Sequence, residues 1–377
     1  MTSVRYACEF DHSGYAVAAR RYVHALDAAG VDVSWQPLVN VRRGRVVADP
    51  AEVVGDCTAD PDLIRMAAHD RSTQPDTTLL HCIPTTWREC FDQIGGTRRI
   101  GQTVWETEQM PRRWQQELAA ADEVWVPTGW NADTLRRGGW DKPIHVVPHI
   151  TAPAGHTAEP PLDLPADVTV IAAIVQWERR KRPDLTIEAF LRAFTADDPV
   201  ILVVKTGPAI IAWATQSAVE RNTWWQVTQL VKAHRRPGNV VLDTSLWTDA
   251  QIGGLLARAD CYLSLTATEG WGLGAFDAAA AGVPVVMTGW GGQREWLPTD
   301  YPGVVPYMLE PVDHPDRTLF EPAMIWARAD VDAAAEVLRQ LRNDPQAFTS
   351  SAAALAADLR DRYSPERIGG QMAELLR

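Results

Sequence analysis

The sequence predicts an α/β protein of two domains, each built around a parallel β-sheet. Along the chain, short runs rich in β-branched and aromatic residues alternate with amphipathic stretches, which is the order of strands and helices in α/β folds. The length of 377 residues exceeds the usual size of a domain with a single hydrophobic core. A proline-rich segment without periodicity, residues 151–166, separates two such alternating regions and is typical of a linker.

The linker divides the chain into regions that we expect to fold separately. The N-terminal domain is predicted at residues 1–155, the linker at 156–166 and the second domain at 167–350. Residues 351–377 are predicted to form helices, and the last of these is expected to cross back to the first domain.

Each predicted strand leads into a turn or a helix. In the first domain a helix opens at the glycine turn around Gly14, and a buried strand carries His81 near its end. The strands predicted there are, in order, VRYACEF, VDVSWQPL, TTLLHCIP, IGQTVWE, ADEVWVPT and IHVVPHI. Those predicted in the second domain are VTVIAAIVQW, ILVVKT, NVVLDTS, DCYLSLTAT and VPVVMTG. Ligands of such sheets bind beyond the carboxyl ends of the strands.

The composition excludes several classes of function. A net charge of −12 argues against a nucleic-acid binder. The N-terminus lacks the pattern of a secretory signal, and no apolar run approaches the roughly 18–20 residues that span a bilayer, although peripheral membrane contact stays open. The five cysteines include no CxxC pair, which is typical of reduced thiols, so we expect a cytoplasmic protein.

The most informative segment, residues 264–297, reads SLTATEGWGLGAFDAAAAGVPVVMTGWGGQREWL. A buried strand predicted to end at Thr268 leads into Glu269, a glycine-rich turn and a helix predicted to begin near Ala275. Unpaired N–H groups at a helix N-terminus attract anions, and glycines let a phosphate approach the backbone closely. Glu269 can accept hydrogen bonds from sugar hydroxyls. Asp277, expected on the first helical turn, is placed to bind a vicinal diol such as a ribose. A corner of this kind with a capping acid also occurs for purely structural reasons.

Several motifs in a fixed order make the chain resemble the retaining glycosyltransferase family 4, whose members have the GT-B fold. The segment EGWGLGAFDAAAAGVPVV is similar to the family's EGFGLPxxEAxAxGxPVV. The segment IVQWERRKRPDLTIEAF is similar to the one that carries the family's diphosphate lysine, and TVWETEQMPRRW, DEVWVPTGWNADTLRRGG and HVVPHI look like a subset of the family. The resemblance covers most of the chain. It implies two facing Rossmann-like domains with a donor cleft between them, the nucleotide sugar being held mainly by the second.

The resemblance also implies roles for individual residues. Glu269 would meet the transferred sugar, and Asp277, an aspartate where the family usually has glutamate, would meet the ribose. The turn whose backbone would face the donor consists of Gly270, Trp271, Gly272 and Leu273. Gly274 replaces a common proline, so a looser turn is expected.

The cations of the donor site match the family only in part. Lys181 matches the diphosphate lysine, but Gln176 stands where the family usually has an arginine. The residues that could substitute are Arg179, Arg180 and Arg182. The sequence leaves the choice among them open, and a solvated helix start would have the same composition.

The first domain contributes further candidates. His81 matches a histidine near the anomeric centre, although a lone histidine after an apolar run is often a core residue. Gly14 matches a glycine turn close to the diphosphate and the acceptor. Glu106 is a candidate for acceptor contact or for a helix cap.

The resemblance therefore implies a metal-independent, retaining hexosyltransferase whose co-substrate is a UDP- or GDP-linked sugar, with no separate cofactor. Its acceptor would carry a hydroxyl group, and secondary-metabolite and polysaccharide biosynthesis are candidate settings. The DxD sequences at Asp60 and Asp330 are typical of helix N-caps rather than of a metal site. A nucleotide-sugar epimerase or phosphorylase on the same fold, or a catalytically silent binding protein, are the alternatives.

Overall fold

The chain forms two compact units. The computed structural model describes residues 3–11, 13–41, 44–50, 60–68, 75–153, 155, 157–207 and 222–377. The first unit consists of Met1–Thr151 together with Asp361–Arg377, and the second of Ala152–Arg360. The C-terminal segment therefore belongs to the first unit, although it follows the second in sequence.

The first unit is built on a largely parallel sheet. Its strands are β1 (Ser3–Glu9), β2 (Asp32–Val41), β3 (Gly44–Val47), β4 (Thr77–His81), β5 (Arg98–Gln102), β6 (Glu123–Val126) and β7 (Ile144–Val146). The described helices between them are α1 (Gly14–Ala28), α2 (Pro61–Ala67), α3 (Trp87–Ile94), α4 (Trp114–Leu118) and α5 (Gly129–Arg137). The strand order is β3-β2-β1-β4-β5-β6-β7, and the pair β2–β3 is antiparallel. The order reverses between β1 and β4, so the loops after these two strands diverge at a switch point.

The second unit repeats this arrangement with a fully parallel main sheet. Its strands are β8 (Thr169–Ile174), β9 (Val200–Lys205), β10 (Asn239–Asp243), β11 (Cys261–Ser264), β12 (Val285–Thr288) and β13 (Val304–Val305). Its helices, among the described residues, are α6 (Pro183–Ala193), α7 (Thr223–Lys232), α8 (Asp249–Arg258), α9 (Leu273–Ala280) and α10 (Val331–Asn343). The order β10-β9-β8-β11-β12-β13 has its switch point between β8 and β11. A two-stranded antiparallel sheet, β14 (Tyr307–Pro311) with β15 (Ile325–Ala329), was not predicted.

Burial explains why these segments form the sheets. Every residue of β4 and β6 is buried, and so is nearly all of β1, as expected for strands covered on both faces. The predicted strand IGQTVWE continues only to Gln102. The backbone then leaves the sheet, because Val104 N–H donates to the Tyr15 hydroxyl at 3.2 Å.

Two helices end the chain, α11 (Pro345–Arg362) and α12 (Pro365–Leu375). Helix α12 packs on α1 of the first unit, where a Cβ added at Gly369 would lie 2.4 Å from the Ala25 carbonyl oxygen. Gln371 Nε2 donates to Val146 O at 2.8 Å, and Arg98 Nη2 donates to Leu375 O at 2.7 Å. These contacts fix α12 along its whole length. No helix in the described part of the chain is both long and apolar enough to cross a membrane.

Candidate functional site

A cationic turn follows β8 at the switch point of the second unit. The chain forms a 3-10 turn over Arg179–Lys181 and then enters α6. Arg182, between the two, has a φ of 46° and is the only non-glycine residue with positive φ in the described part of the chain. That conformation costs an L-residue roughly 1–2 kcal/mol. The Arg182 guanidinium donates twice to the Asp184 carboxylate, at 3.0 and 2.9 Å, which braces the turn in this shape.

Two cations of this turn converge on Glu269. Lys181 Nζ donates to Glu269 Oε1 at 2.5 Å, and Arg180 Nη1 lies 3.4 Å from Oε2. Glu269 is 8% exposed, so water screens these charges less than it would at the surface. The backbone joins the same two segments, since Ala267 N–H donates to Arg180 O at 2.8 Å.

The geometry distinguishes the three arginines that the sequence left open. Arg179 is exposed and pairs with Asp313. Arg182 is engaged by Asp184. Arg180 is the arginine whose guanidinium reaches the buried carboxylate of Glu269. Arg180 is therefore the arginine that stands as the second cation beside Lys181 at this carboxylate.

The strand before this acid ends earlier than predicted. β11 ends at Ser264 rather than at Thr268, although the residues between them are all buried. The reason is that the backbone turns toward the cationic turn instead of continuing the ladder. Thr266 Oγ1 lies 3.1 Å from Arg180 O and within hydrogen-bond distance of it.

The helix after the glycine-rich turn begins earlier than predicted. Gly272 has a φ of 81° and forms the N-cap, so α9 starts at Leu273 rather than near Ala275. Asp277 consequently lies on the second turn of the helix and not on the first. Within α9 the first turn carries no acidic residue, so no side chain there neutralises the positive end of the helix dipole. Such an end favours an anion.

Aromatic packing and close backbone contact fix the shape of the glycine-rich turn. Trp271 is 2% exposed, and its carbonyl oxygen accepts from Trp296 Nε1 at 2.8 Å. The Phe276 ring packs edge-on against both indoles, with centroid distances of 5.0 and 5.6 Å. A Cβ added at Gly292 would lie 2.0 Å from Gly270 O, so the two backbones meet directly. The turn is therefore held in one conformation.

Gly274 does not loosen this turn, contrary to expectation. It is the second residue of α9, and a Cβ there would lie 2.6 Å from the hydroxyl oxygen of Tyr262. That hydroxyl donates to Ile174 O at 2.9 Å, at the end of β8. Tyr262 thus fills the space that a proline ring would need.

His81 lies near the switch point of the first unit, in a buried polar cluster. Its Nδ1 is 2.9 Å from the Tyr6 hydroxyl, which donates to Gln102 Oε1 at 3.0 Å. Because the tyrosine proton is committed to Gln102, the imidazole Nδ1–H donates and Nε2 keeps its lone pair. Burial lowers the pKa of His81 to about 3, so the ring is neutral at physiological pH.

A second histidine completes the cluster and was missed from the sequence. The Tyr22 hydroxyl donates to Val147 O at 3.1 Å and accepts from His149 Nδ1 at 2.9 Å. Burial is the main cause that lowers the pKa of His149 well below its usual value, and electrostatic interaction with His81 and Arg21 adds to it. Nothing in the motif HVVPHI marks this histidine, because Tyr22, its hydrogen-bond partner, lies on α1 and is distant in sequence.

The remaining candidates of the first unit lie at the same edge of its sheet. Gly14 is the first residue of α1, and a Cβ there would meet nothing within 4 Å, so packing alone does not require a glycine. Glu106 does not cap the next helix, because α4 begins at Trp114 with Arg113 as its N-cap. Burial and then the Glu106 charge raise the pKa of Tyr15, which locates the carboxylate near that phenol.

The DxD sequences are helix caps, as predicted. Asp60 accepts from Leu63 N–H at 3.0 Å, with Pro61 at the first helical position. Asp330 accepts from Ala333 N–H at 3.0 Å. Within the described residues, no group of three or more His, Cys, Asp or Glu side chains is arranged to hold a metal ion.

Sequence reasoning missed two residues beside the cationic turn. Glu178 Oε1 lies 3.3 Å from Arg180 Nε and 3.6 Å from His314 Nε2. Burial alone would raise the pKa of Glu178, but the Arg180 charge, and after it His314 and Lys181, lower it to about 2. A single acid at the front of a basic run was the only signal for Glu178, and His314 had none.

Comparison with known proteins gives one family and a set of similar folds. The model of the family described as "Family 4 Glycosyltransferase in conflict systems" matches residues 129–372. No curated protein sequence matches the chain significantly.

Solved structures of similar fold cover nearly the whole chain at low identity. Sucrose-phosphate synthase from Thermosynechococcus elongatus has a TM-score of 0.67 at 16% identity, covering 100% of this chain and 98% of that one. Anabaena Alr3699/HepE in complex with UDP and glucose has a TM-score of 0.64 at 15% identity, covering 100% and 99%. A structure described as trehalose-6-phosphate from E. coli bound with UDP-2-fluoro glucose has a TM-score of 0.63 at 12% identity, covering 99% and 98%. These likenesses confirm the predicted GT-B fold class.

Proposed function

Since the chain belongs to the family described as "Family 4 Glycosyltransferase in conflict systems", we propose that it is a retaining, metal-independent enzyme that transfers a sugar from a nucleoside diphosphate sugar to a hydroxyl acceptor. Glycosyl transfer follows from membership of this family. Retention of configuration, the hydroxyl acceptor and metal independence are our own proposals. The observation that carries the proposal is the convergence of Lys181 and Arg180 beside Glu269, next to the N-terminus of α9.

The donor diphosphate is assigned to the two cations and the helix. Negative charge grows on the diphosphate as the glycosidic bond breaks, and fixed positive groups stabilise it. Lys181 and Arg180 supply full charges, and α9 supplies N–H groups with no acidic side chain in its first turn. Because Glu269 already neutralises Lys181, a bound diphosphate would share that ammonium with the carboxylate.

The sugar and the nucleoside are assigned to the flanking acids. Glu269 would accept hydrogen bonds from hydroxyls of the transferred sugar, and Asp277 from those of the ribose. The backbone of the donor turn would line the same site; its members are Gly270, Trp271, Gly272 and Leu273. His81 would accept a hydrogen bond from a sugar hydroxyl through its neutral Nε2, and Gly14 would lie near the diphosphate and acceptor.

Retention is proposed to proceed by front-side attack. Both oxygens of Glu269 face cations, which withdraw the electron density that a nucleophile needs. The acceptor hydroxyl would then attack on the side from which the diphosphate leaves, through an oxocarbenium-like state. The departing phosphate oxygen takes the acceptor proton.

The donor and the cellular setting are proposed from the similar structures and from the cysteines. Two of the similar structures were solved with UDP-containing ligands, which puts UDP first among the bases to test, with GDP as the alternative. A cytoplasmic location fits the four described cysteines, which are all buried; Cys57 lies outside the described residues.

Replacing the cations tests the proposal directly. We expect Lys181→Met and Arg180→Met each to lower the rate of UDP-sugar or GDP-sugar turnover by about 10²–10³, the usual loss when one preorganised electrostatic partner is removed. Arg179→Met is the matched control, because Arg179 is exposed and pairs with Asp313 rather than with Glu269. Turnover is measured as donor hydrolysis and transfer, with and without EDTA, and the anomeric configuration of the product by NMR.

Three outcomes would contradict the proposal. Near-normal turnover in Lys181→Met with loss in Arg179→Met would mean that a different cation holds the diphosphate. Activity abolished by EDTA and restored by Mg²⁺ would refute metal independence. Epimerised donor without transfer, or binding without any turnover, would favour the alternative enzymes or a silent binding protein.

A further inference from the structure

The antiparallel hairpin of residues 307–329, formed by β14, β15 and their connection, lies against the cationic turn. It contacts that turn at three successive places. Glu310 Oε1 lies 3.7 Å from Arg182 Nη1, and Asp313 pairs with Arg179 through its side chain and through its carbonyl oxygen. His314 reaches Glu178, the residue that precedes the 3-10 turn. The hairpin therefore follows the turn from end to end.

His314 is held rigidly within the hairpin. It is 2% exposed, and its ring centroid lies 4.3 Å from that of Phe320 and 6.5 Å from that of Trp326. The backbone N–H of Asp316 donates to its Nδ1 at 3.1 Å. Because Nδ1 accepts a hydrogen bond, the neutral ring carries its proton on Nε2. That proton faces the Glu178 carboxylate at 3.6 Å between heavy atoms, so a small movement would complete a hydrogen bond.

Glu178 connects this histidine to the donor cations. Its Oε1 is shared between His314 Nε2 and Arg180 Nε, at 3.6 and 3.3 Å. The Arg180 guanidinium spans the two acids, with Nε at Glu178 and Nη1 at Glu269. A guanidinium held at one edge presents its opposite edge in a fixed direction, because the group is planar. Loss of the Glu178 contact would remove the hold on the Nε edge of Arg180 and leave its orientation at Glu269 less closely fixed.

We propose that His314 is a positioning residue that acts through Glu178 to hold the Arg180 guanidinium in its donor-binding orientation. The hairpin thereby becomes part of the donor site without touching the donor. This inference rests on the proposed function, since it assigns Arg180 to the diphosphate. It adds a determinant of donor affinity that lies about 130 residues away in sequence.

Two substitutions of His314 separate positioning from packing. His314→Gln places an amide nitrogen where Nε2 stands and keeps a donor toward Glu178. His314→Asn keeps an acceptor near the Asp316 N–H and loses that donor. Both substitutions remove the imidazole ring that packs beside Phe320 and Trp326. Binding of UDP and of GDP is measured by calorimetry, and thermal stability alongside. We expect His314→Asn to weaken nucleotide binding about tenfold, as for coupled residues of one network, and His314→Gln to stay within about threefold of the wild type.

A double-mutant cycle tests the route through Arg180. In the Arg180→Met background, His314→Asn should have no further effect on the dissociation constant, because the residue it positions is gone. Asp313→Asn is the matched control from the same connection, and it should leave binding unchanged, since its partner Arg179 is exposed.

The results that would overturn the inference are distinct from those that would overturn the function. Equal losses in His314→Asn and His314→Gln, or a loss in His314→Asn that adds fully to that of Arg180→Met, would mean that the ring only fills space. Unchanged binding in His314→Asn would remove any role in donor affinity. A wild-type protein that binds neither UDP nor GDP would instead refute the proposed function, and the inference with it.

Discussion

Gly274 is a residue whose missing side chain has a specific structural reason. The family resemblance puts proline at this position, and any residue with a Cβ would place it 2.6 Å from the Tyr262 hydroxyl oxygen. Tyr262 in turn ties β11 to the end of β8 through its bond to Ile174 O. The absence of a side chain at Gly274 therefore makes room for the Tyr262 hydroxyl, and the two residues together fix the start of α9.

The pairing predicts that the effect of one substitution depends on the other. Gly274→Ala alone should destabilise the second unit by about 1–3 kcal/mol, the usual cost of overpacking. In a Tyr262→Phe background the same change should be neutral or slightly stabilising, because alanine is the better helix former. Urea unfolding of the four proteins measures the coupling. Equal effects of Gly274→Ala in both backgrounds would show that the hydroxyl is not what excludes the side chain.

At the residue scale, the sequence predicted which segments supply the candidate site but not their geometry. The acid Glu269 and the basic run before Pro183 were recognisable as motifs. Arg180 rather than a neighbour turns to the acid, in a turn that ends at the left-handed Arg182, and no sequence pattern marks that conformation. The roles of these side chains stay predictions until the variants are measured.

The C-terminal helix shows the same close packing at the scale of an element. Helix α12 carries two adjacent glycines in different surroundings. A Cβ at Gly369 would lie 2.4 Å from the Ala25 carbonyl oxygen of α1, whereas one at Gly370 would meet nothing within 4 Å. The first glycine permits the two helices to approach, and the second is open to substitution.

These two glycines form a matched pair for a stability test. Gly369→Ala should push α12 away from α1 and destabilise the first unit by about 1–3 kcal/mol. Gly370→Ala should stabilise it by up to about 1 kcal/mol, as expected when alanine replaces glycine in an open helical position. Chemical denaturation followed by tryptophan fluorescence measures both. A destabilising Gly370→Ala, or a neutral Gly369→Ala, would contradict this account of the interface.

Among the elements, the inner strands of the main sheets were predictable, whereas the edge strands β3 and β13 and the hairpin of residues 307–329 were not. Buried parallel strands give continuous apolar runs, such as TTLLHC, that stand out from their flanks. The hairpin strands are short, partly exposed and close to prolines, so they lack both the apolar run and the alternation that mark a strand. Its contacts with the cationic turn depend on tertiary packing alone.

For the whole molecule, the buried histidines predict sensitivity to mild acid. The folded-state pKa of His81 is lowered to about 3, and that of His149 is lowered well below its usual value, in both cases chiefly by burial. As the pH falls below about 6.5, these histidines take up protons in the unfolded chain but stay neutral in the folded one. The unfolded state therefore binds more protons than the folded state. The stability that comes from keeping these histidines neutral is therefore fully present above about pH 6.5 and is lost as the pH falls below it.

The expected loss is large enough to measure. From pH 7.0 to 5.5 the two histidines together should remove about 2–3 kcal/mol from the free energy of unfolding. His24 acts in the opposite sense, because its hydrogen bond with Asp60 raises its pKa, but it is more exposed and contributes less. Urea unfolding at both pH values, for the wild type and His149→Gln, tests this. The variant should lose about half as much stability, and an equal loss would exclude His149 as a source.

The division of the chain has a consequence for biosynthesis. The first unit needs α12, and α12 is translated only after the whole of the second unit. The second unit is continuous in sequence, so all of its residues are made before α12. The N-terminal sheet, although made first, has to wait with the α1 surface around Ala25 uncovered until the last helix emerges. The first unit is thus finished only after the second has been made, and until then its uncovered helix face is open to misassembly.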